Sequence, residues 1–124
     1  MQAQSLKIDP ILLEEIELSP DKWYSVYVIL EDQVDIAALH QEMKKAKMPI
    51  DARAVNVVQT LQDKAAKTQP KLLEKFSKLS NVRAITPYWI TNAIAVEANA
   101  DAIMKISEWE AVQLIEAMPR MQLF

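Results

Sequence analysis

The side chains able to do chemistry are few and scattered. His40 is the only histidine. It stands beside Leu39 on a short amphipathic stretch, the place of a surface or boundary residue rather than of a general base or metal ligand. No serine lies in a nucleophile turn with oxyanion donors, so no serine triad is assembled. Carboxylates gather twice. Glu14, Glu15 and Glu17 read as the solvated face of a helix, while Glu31, Asp32 and Asp35 surround a turn and cap the helix after it rather than hold a metal. The chain has no cysteine, hence no thiolate metal site and no disulfide framework. It also has no glycine, which disfavours every phosphate-cradling glycine loop. The expectation is a non-catalytic protein with no catalytic residue, no metal site and no cofactor. Its function must then lie in a surface.

The stretch that offers such a surface is VRAITPYWITNAIAVEA, residues 82–98. It reads as two short strands folded back around a two-residue turn at Thr91 and Asn92. Asparagine is the residue that best tolerates a left-handed backbone where glycine is lacking. That turn pairs Ile90 with Ala93, Trp89 with Ile94, Tyr88 with Ala95 and Pro87 with Val96. Opposed residues share a face of a sheet. One face then carries Ile85, Pro87, Trp89, Ile94, Val96 and Ala98, which is a core. The other carries Tyr88, Ile90, Ala93 and Ala95, with Thr86 and Glu97 at its edge. A solvated face would be studded with charged residues. This one is apolar and mostly small, suited to something flat lying against it.

The rest of the chain must position that hairpin. Its 124 residues suffice for one domain with a single core, and 51% hydrophobic with 25% charged residues is a globular composition. A net charge of −3 argues against nucleic acid or an anionic membrane as partner. No apolar run approaches membrane-spanning length. The first residues, MQAQSLKIDP, contain no hydrophobic signal region, as expected of a cytoplasmic protein or of one whose signal peptide has been removed.

Asp9 and Pro10 open a short helix that Ser19-Pro20 breaks. Residues 23–30 form a strand, with Tyr24, Val26, Val28 and Leu30 on one face and Trp23, Ser25, Tyr27 and Ile29 on the other. Both faces are largely apolar, so this strand is central and covered on both sides. Asp35 caps a helix over 36–45 with Ile36, Leu39 and Met43 inward. Asp51 caps the next, in which Val55, Val58, Leu61, Ala65, Leu72, Phe76 and Leu79 keep a helical period. Pro70 falls inside this run, but the apolar phase survives it, which predicts one long bent helix. Thr68 as the cap of a second helix is the alternative. After the hairpin, Asn99 caps a helix over 100–107 with Ile103 and Ile106 inward. A strand from Val112 follows, and Pro119 stops it. Strand, helix, strand, strand, helix, strand with right-handed crossovers is an α+β, ferredoxin-like βαββαβ sandwich. Its antiparallel sheet has four strands and helices on one face, with the strands beginning at Trp23 and near Asn92 in the centre.

VYVILEDQVD, the helical RAVNVVQTLQDKA and QPKLLEKF, then PYWITNAIAVEAN and a closing VQLIE together resemble the propeptides of subtilisin-like serine proteases. The resemblance covers residues 23–124, and YWITNAIAVEANADAI is its most specific part. It implies that the open sheet face packs on two surface helices of the protease, as an inhibitor and folding chaperone. The docking residues would be Tyr27, Ile29, Tyr88, Ile90, Ala93 and Ala95. Glu97 or Asp101 would cap the N-termini of the protease helices. The tail Met121, Gln122, Leu123 and Phe124 would lie in the active-site cleft like a cleaved product. The organisation expected is an N-terminal helical extension over 1–22, the propeptide-like domain over 23–118 and the tail over 119–124. The protein would be secreted or periplasmic, and monomeric when free. The N-terminal helix and the long central helix exceed those of small propeptides, which predicts that the domain folds without its protease. Three other readings stay open: a free-standing inhibitor of the same fold, a ferredoxin-like regulatory domain, and a homodimer joined through its open sheet faces. An RNA-binding sheet, with Tyr27 and Tyr88 stacking on bases, is disfavoured by the negative charge.

Overall fold

The structure, a computed structural model, describes residues 7–118. The expected tail residues Met121, Gln122, Leu123 and Phe124, and the stop at Pro119, lie outside them. Chain order is α1 (Pro10–Leu18), β1 (Tyr24–Leu30), α2 (Ile36–Lys45), α3 (Ile50–Ser77), β2 (Val82–Tyr88), β3 (Ala93–Ala98), α4 (Ala100–Ser107) and β4 (Val112–Ala117).

Three helices begin where the sequence supplies a cap. The Asp9 carboxylate accepts from the Leu12 amide at 3.2 Å, Asp35 from Ala38 at 3.0 Å, and the Asn99 side-chain oxygen from Ala102 at 3.1 Å. Each satisfies an amide that the first helical turn leaves without a partner. The fourth helix departs from expectation. Pro49, not Asp51, is the N-cap of α3, no side chain caps it, and Asp51 lies within the first turn. A proline just outside a helix has already fixed its own φ and needs no amide partner.

The sheet is antiparallel throughout, in the order β2-β3-β1-β4, so β1 and β3 are central as expected. The fold is α+β, a four-stranded antiparallel sheet with four helices among the described residues. Val26, Val28, Leu30, Ile94, Val96 and Ile115 bury one face of the sheet. They share a core with Leu12 and Ile16 of α1, Leu72 and Phe76 of α3, and Ile103 and Ile106 of α4. These three helices therefore cover one face. β1 is not covered on both sides by the described chain, since Tyr27 and Ile29 remain half-exposed on the other.

α3 runs unbroken through Pro70 for 28 residues, so Thr68 does not start a new helix; its hydroxyl instead donates back to the Lys64 carbonyl at 2.8 Å. Proline in a helix interior costs about 3 kcal/mol. Here Pro70 points to solvent while Ala65, Gln69, Leu72 and Phe76 carry the buried phase past it. A helix of that length rises about 42 Å, against about 23 Å for a seven-residue strand. Its first half consequently outreaches the sheet. Val55 and Val58, expected to face inward, are 69% and 41% exposed, and Ile36 of α2 is 49% exposed. Helical period alone does not reveal where the sheet ends.

The hairpin differs from expectation in register. Tyr88 pairs with Ala93, Pro87 with Ile94 and Thr86 with Ala95, so the loop spans residues 89–92 and Trp89 and Ile90 leave the strand. The slip is by two residues, and side chains alternate with period two, so Tyr88, Ala93, Ile94, Ala95 and Val96 keep their expected faces. Pro87 and Trp89, expected in the core, are instead exposed at the strand end and half-exposed in the loop. The left-handed residue is not Asn92. Among the described residues only Lys47 and Ala84 have positive φ, at 53° and 54°. Ala84 sits at the irregularity between Arg83 and Thr86, a bulge position that favours glycine. In a chain without glycine an alanine occupies it.

Candidate functional site

The face of the sheet opposite the helices carries three rows of residues, read directly from strand register. One row is Tyr88, Ala93, Ile29 and Leu114; the next is Thr86, Ala95, Tyr27 and Glu116; the third holds Arg83, Glu97 and Ser25. All five expected docking residues that lie in strands, Tyr27, Ile29, Tyr88, Ala93 and Ala95, share this face. Ile90 stands on the loop at its rim, 70% exposed.

The two tyrosines come from β1 and β2, which flank β3. Their rings nevertheless meet edge to face, with centroids 5.9 Å apart at 73°. They can do so only by reaching across β3, above its alanines. That explains why Ala93 and Ala95 are 3% and 4% exposed although no helix covers them. The alanines act as spacers that let the aromatic pair close. The surface presented outward is therefore Tyr27, Ile29, Tyr88 and Ile90. These side chains, with Thr91, Ala93 and Glu116, line a shallow notch of about 240 Å³.

The two expected capping carboxylates differ in placement. Glu97 is on the open face but engaged: Arg83 Nε donates to its Oε1 at 2.9 Å, and the Arg83 guanidinium lies 3.9 Å from the Trp23 ring centroid. Such an exposed pair contributes less than about 1 kcal/mol. Asp101 is exposed in the first turn of α4, which packs on the opposite face of the sheet. Its charge faces the N-terminus of its own helix. The structure does not bring Asp101 to the residues expected to dock.

Sequence reasoning missed the contribution of β4. Leu114 and Glu116 both lie on the open face, and Glu116 is the one carboxylate lining the notch. The alternation in VQLIEA carried this signal, but Val112 and Ile115, three residues apart, are both buried. The register shift between Ile29 and Leu30 reconciles them.

The hairpin loop is anchored from behind by buried amides. Gln69 of α3 and Asn92 are 5% and 3% exposed. Gln69 Nε2 donates to the Tyr88 carbonyl at 2.6 Å and to Asn92 Oδ1 at 2.9 Å. Asn92 Nδ2 donates to the Asp32 carbonyl at 2.8 Å and to Thr68 Oγ1 at 2.7 Å. Among the described residues no buried side-chain polar atom lacks a partner.

A wider groove of about 970 Å³ lies between α3 and residues 108–111, lined by charges of both signs including Lys67, Lys71, Glu31 and Glu110. Lys64 pairs with Asp32 at 2.7 Å and Lys75 lies 4.7 Å from the Trp109 ring centroid. Interface cores are depleted in charged residues and enriched in aromatic ones, which favours the open sheet face over this groove as a recognition surface. His40 is exposed on α2. Among the described residues no group of three or more His, Cys, Asp or Glu is placed to hold a metal ion, and no helix is long and apolar enough to cross a membrane. Compared with protein-family models, with curated proteins and with solved structures, the chain finds no match.

Proposed function

We propose that this chain is a protease-binding domain of the subtilisin propeptide type, with a ferredoxin-like βαββαβ sandwich extended by α1 and a long α3. It docks on the catalytic domain of a subtilisin-like serine protease by its open sheet face. In the precursor it acts as intramolecular chaperone and autoinhibitor, with Met121, Gln122, Leu123 and Phe124 entering the active-site cleft. The observation that carries this reading is the uncovered face itself, on which Tyr27, Ile29, Tyr88 and Ile90 stand over two alanines.

Both sheet edges support a facial mode of association over an edge-to-edge one. On β2 the Ala84 bulge and Pro87 interrupt the edge ladder. On β4 the N-terminal segment meets the edge at mid-strand: Ile8 bridges Ile115 in parallel, and the Asp9 amide donates to the Ile115 carbonyl at 2.9 Å. A regulatory domain that pairs sheets edge to edge would need one of these free.

The test is titration of the purified chain against a panel of subtilisin-like proteases, with light scattering to give the stoichiometry. Tight one-to-one inhibition that is lost when the open face is altered supports the proposal. No inhibition of any member, with a stable dimer dispersed by the same alterations, refutes it in favour of a self-associating face.

A further inference from the structure

The docking loop is more firmly held than its exposure suggests. Residues 89–92 present Ile90 and Thr91 to the notch, yet both ends of the loop are tied to groups behind the sheet. Gln69 donates to the Tyr88 carbonyl at one end, to Asn92 Oδ1, and to the Ala93 carbonyl at 3.4 Å just beyond the other. Gln33 closes the second end. Its Nε2 donates to the Asn92 carbonyl at 2.9 Å and to the Leu30 carbonyl at 2.7 Å, and its Oε1 accepts from the Asn92 amide at 3.2 Å. Asn92 in turn reaches the Asp32 carbonyl and Thr68. One loop is thus bonded to the middle of α3 and to the connection after β1, segments some 20 to 60 positions away in the chain.

A core needing only stability could fill this space with apolar side chains, because replacing both partners of a buried polar pair by apolar groups of the same shape is close to neutral or stabilising. A directional network instead specifies one loop geometry. Ordering an interface loop on binding costs affinity, and a loop ordered beforehand avoids that cost. We infer that Gln69, Gln33 and Asn92 are positioning residues that hold loop 89–92 in its docking shape, so that Tyr88 and Ile90 meet the partner preformed. This rests on the proposed protease-docking function and adds to it which residues set the affinity from behind the surface.

The experiment uses the full chain with Gln69→Met, which keeps the side-chain length and removes the donors, and Gln33→Ala, a milder change at a half-buried site. Hydrogen exchange and inhibition of the subtilisin-like protease best inhibited by the parent are both read. Each variant is expected to keep slow exchange at Val28 and Ile94. The amides of Thr91 and Asn92 should exchange faster and inhibition should weaken, each by about tenfold or more. In an Ile90→Ser background the same changes should cost little further, since the loop then has less to present. Unchanged inhibition in both variants overturns the inference, and so does a loss that adds in full to Ile90→Ser, which marks a general effect on stability. If Gln69→Met fails to fold, Gln33→Ala decides by the same readings. A parent chain that inhibits no protease removes the proposed function, and this inference with it. A parent that inhibits beside variants that do so equally removes the inference alone.

Discussion

Ile90→Glu gives the most direct measure of the open face. Ile90 is 70% exposed and stands on the loop, outside both strands, so nothing in the free domain depends on its burial. Fully burying an isoleucine stabilises by roughly 1.5–3 kcal/mol, so about 1–2 kcal/mol remains to be gained when a partner covers this side chain. Ile90→Ala forfeits most of that gain, which is about five- to thirtyfold in affinity. Ile90→Glu also carries a carboxylate into an apolar contact without a partner, which brings the loss to about 3 kcal/mol or more. At about 1.4 kcal/mol per tenfold, inhibition should fall at least about a hundredfold. Inhibition constants for parent, Ile90→Ala and Ile90→Glu against one subtilisin-like protease should then rise in that order, at an unchanged thermal midpoint. Three constants within twofold of one another, all from folded protein, would refute the docking face.

Three further outcomes follow from particular residues. Ala84 holds φ at 54°, where a side chain costs roughly 1–2 kcal/mol. Ala84→Gly should raise the melting temperature by a few degrees, the gain being trimmed by the entropy of glycine in the unfolded chain; a lower midpoint would show that the bulge is unstrained. Phe76 is fully buried, its ring centroid 5.3 Å from that of Trp109. The isolated domain should melt cooperatively, and Phe76→Ala should cost about 3–5 kcal/mol in denaturant unfolding; a non-cooperative parent melt would mean that the domain does need a partner in order to fold. Deleting residues 120–124 should leave the cooperative melt intact and weaken inhibition by about tenfold or more, through loss of a tethered contact in the cleft. Equal constants for the full and shortened chains would show that the tail adds nothing.

Local signals in this chain are strong, and local structure follows them. Asp9, Asp35 and Asn99 cap helices because a short oxygen-bearing side chain meets a free amide wherever such a helix starts. The two faces of the hairpin are legible because strand alternation survives a register slip of two residues, and so Tyr27, Ile29, Tyr88, Ala93 and Ala95 fall together. Other features have no local signature. The four-residue loop and the bulge at Ala84 follow from the register in which β2 meets β3, and the exposed first half of α3 from how far the sheet extends beneath the helix, a length that helical period does not encode. Asn92 reads as a turn residue because asparagine favours turns. Only the meeting of α3, the hairpin and the segment after β1 makes it a buried amide with partners on each. Glu97 reads as a free carboxylate until the fold sets Arg83 opposite it across two strands. Hydrogen bonds between residues distant in sequence are set by tertiary distance, and a chain read residue by residue carries the donors and acceptors without their pairing.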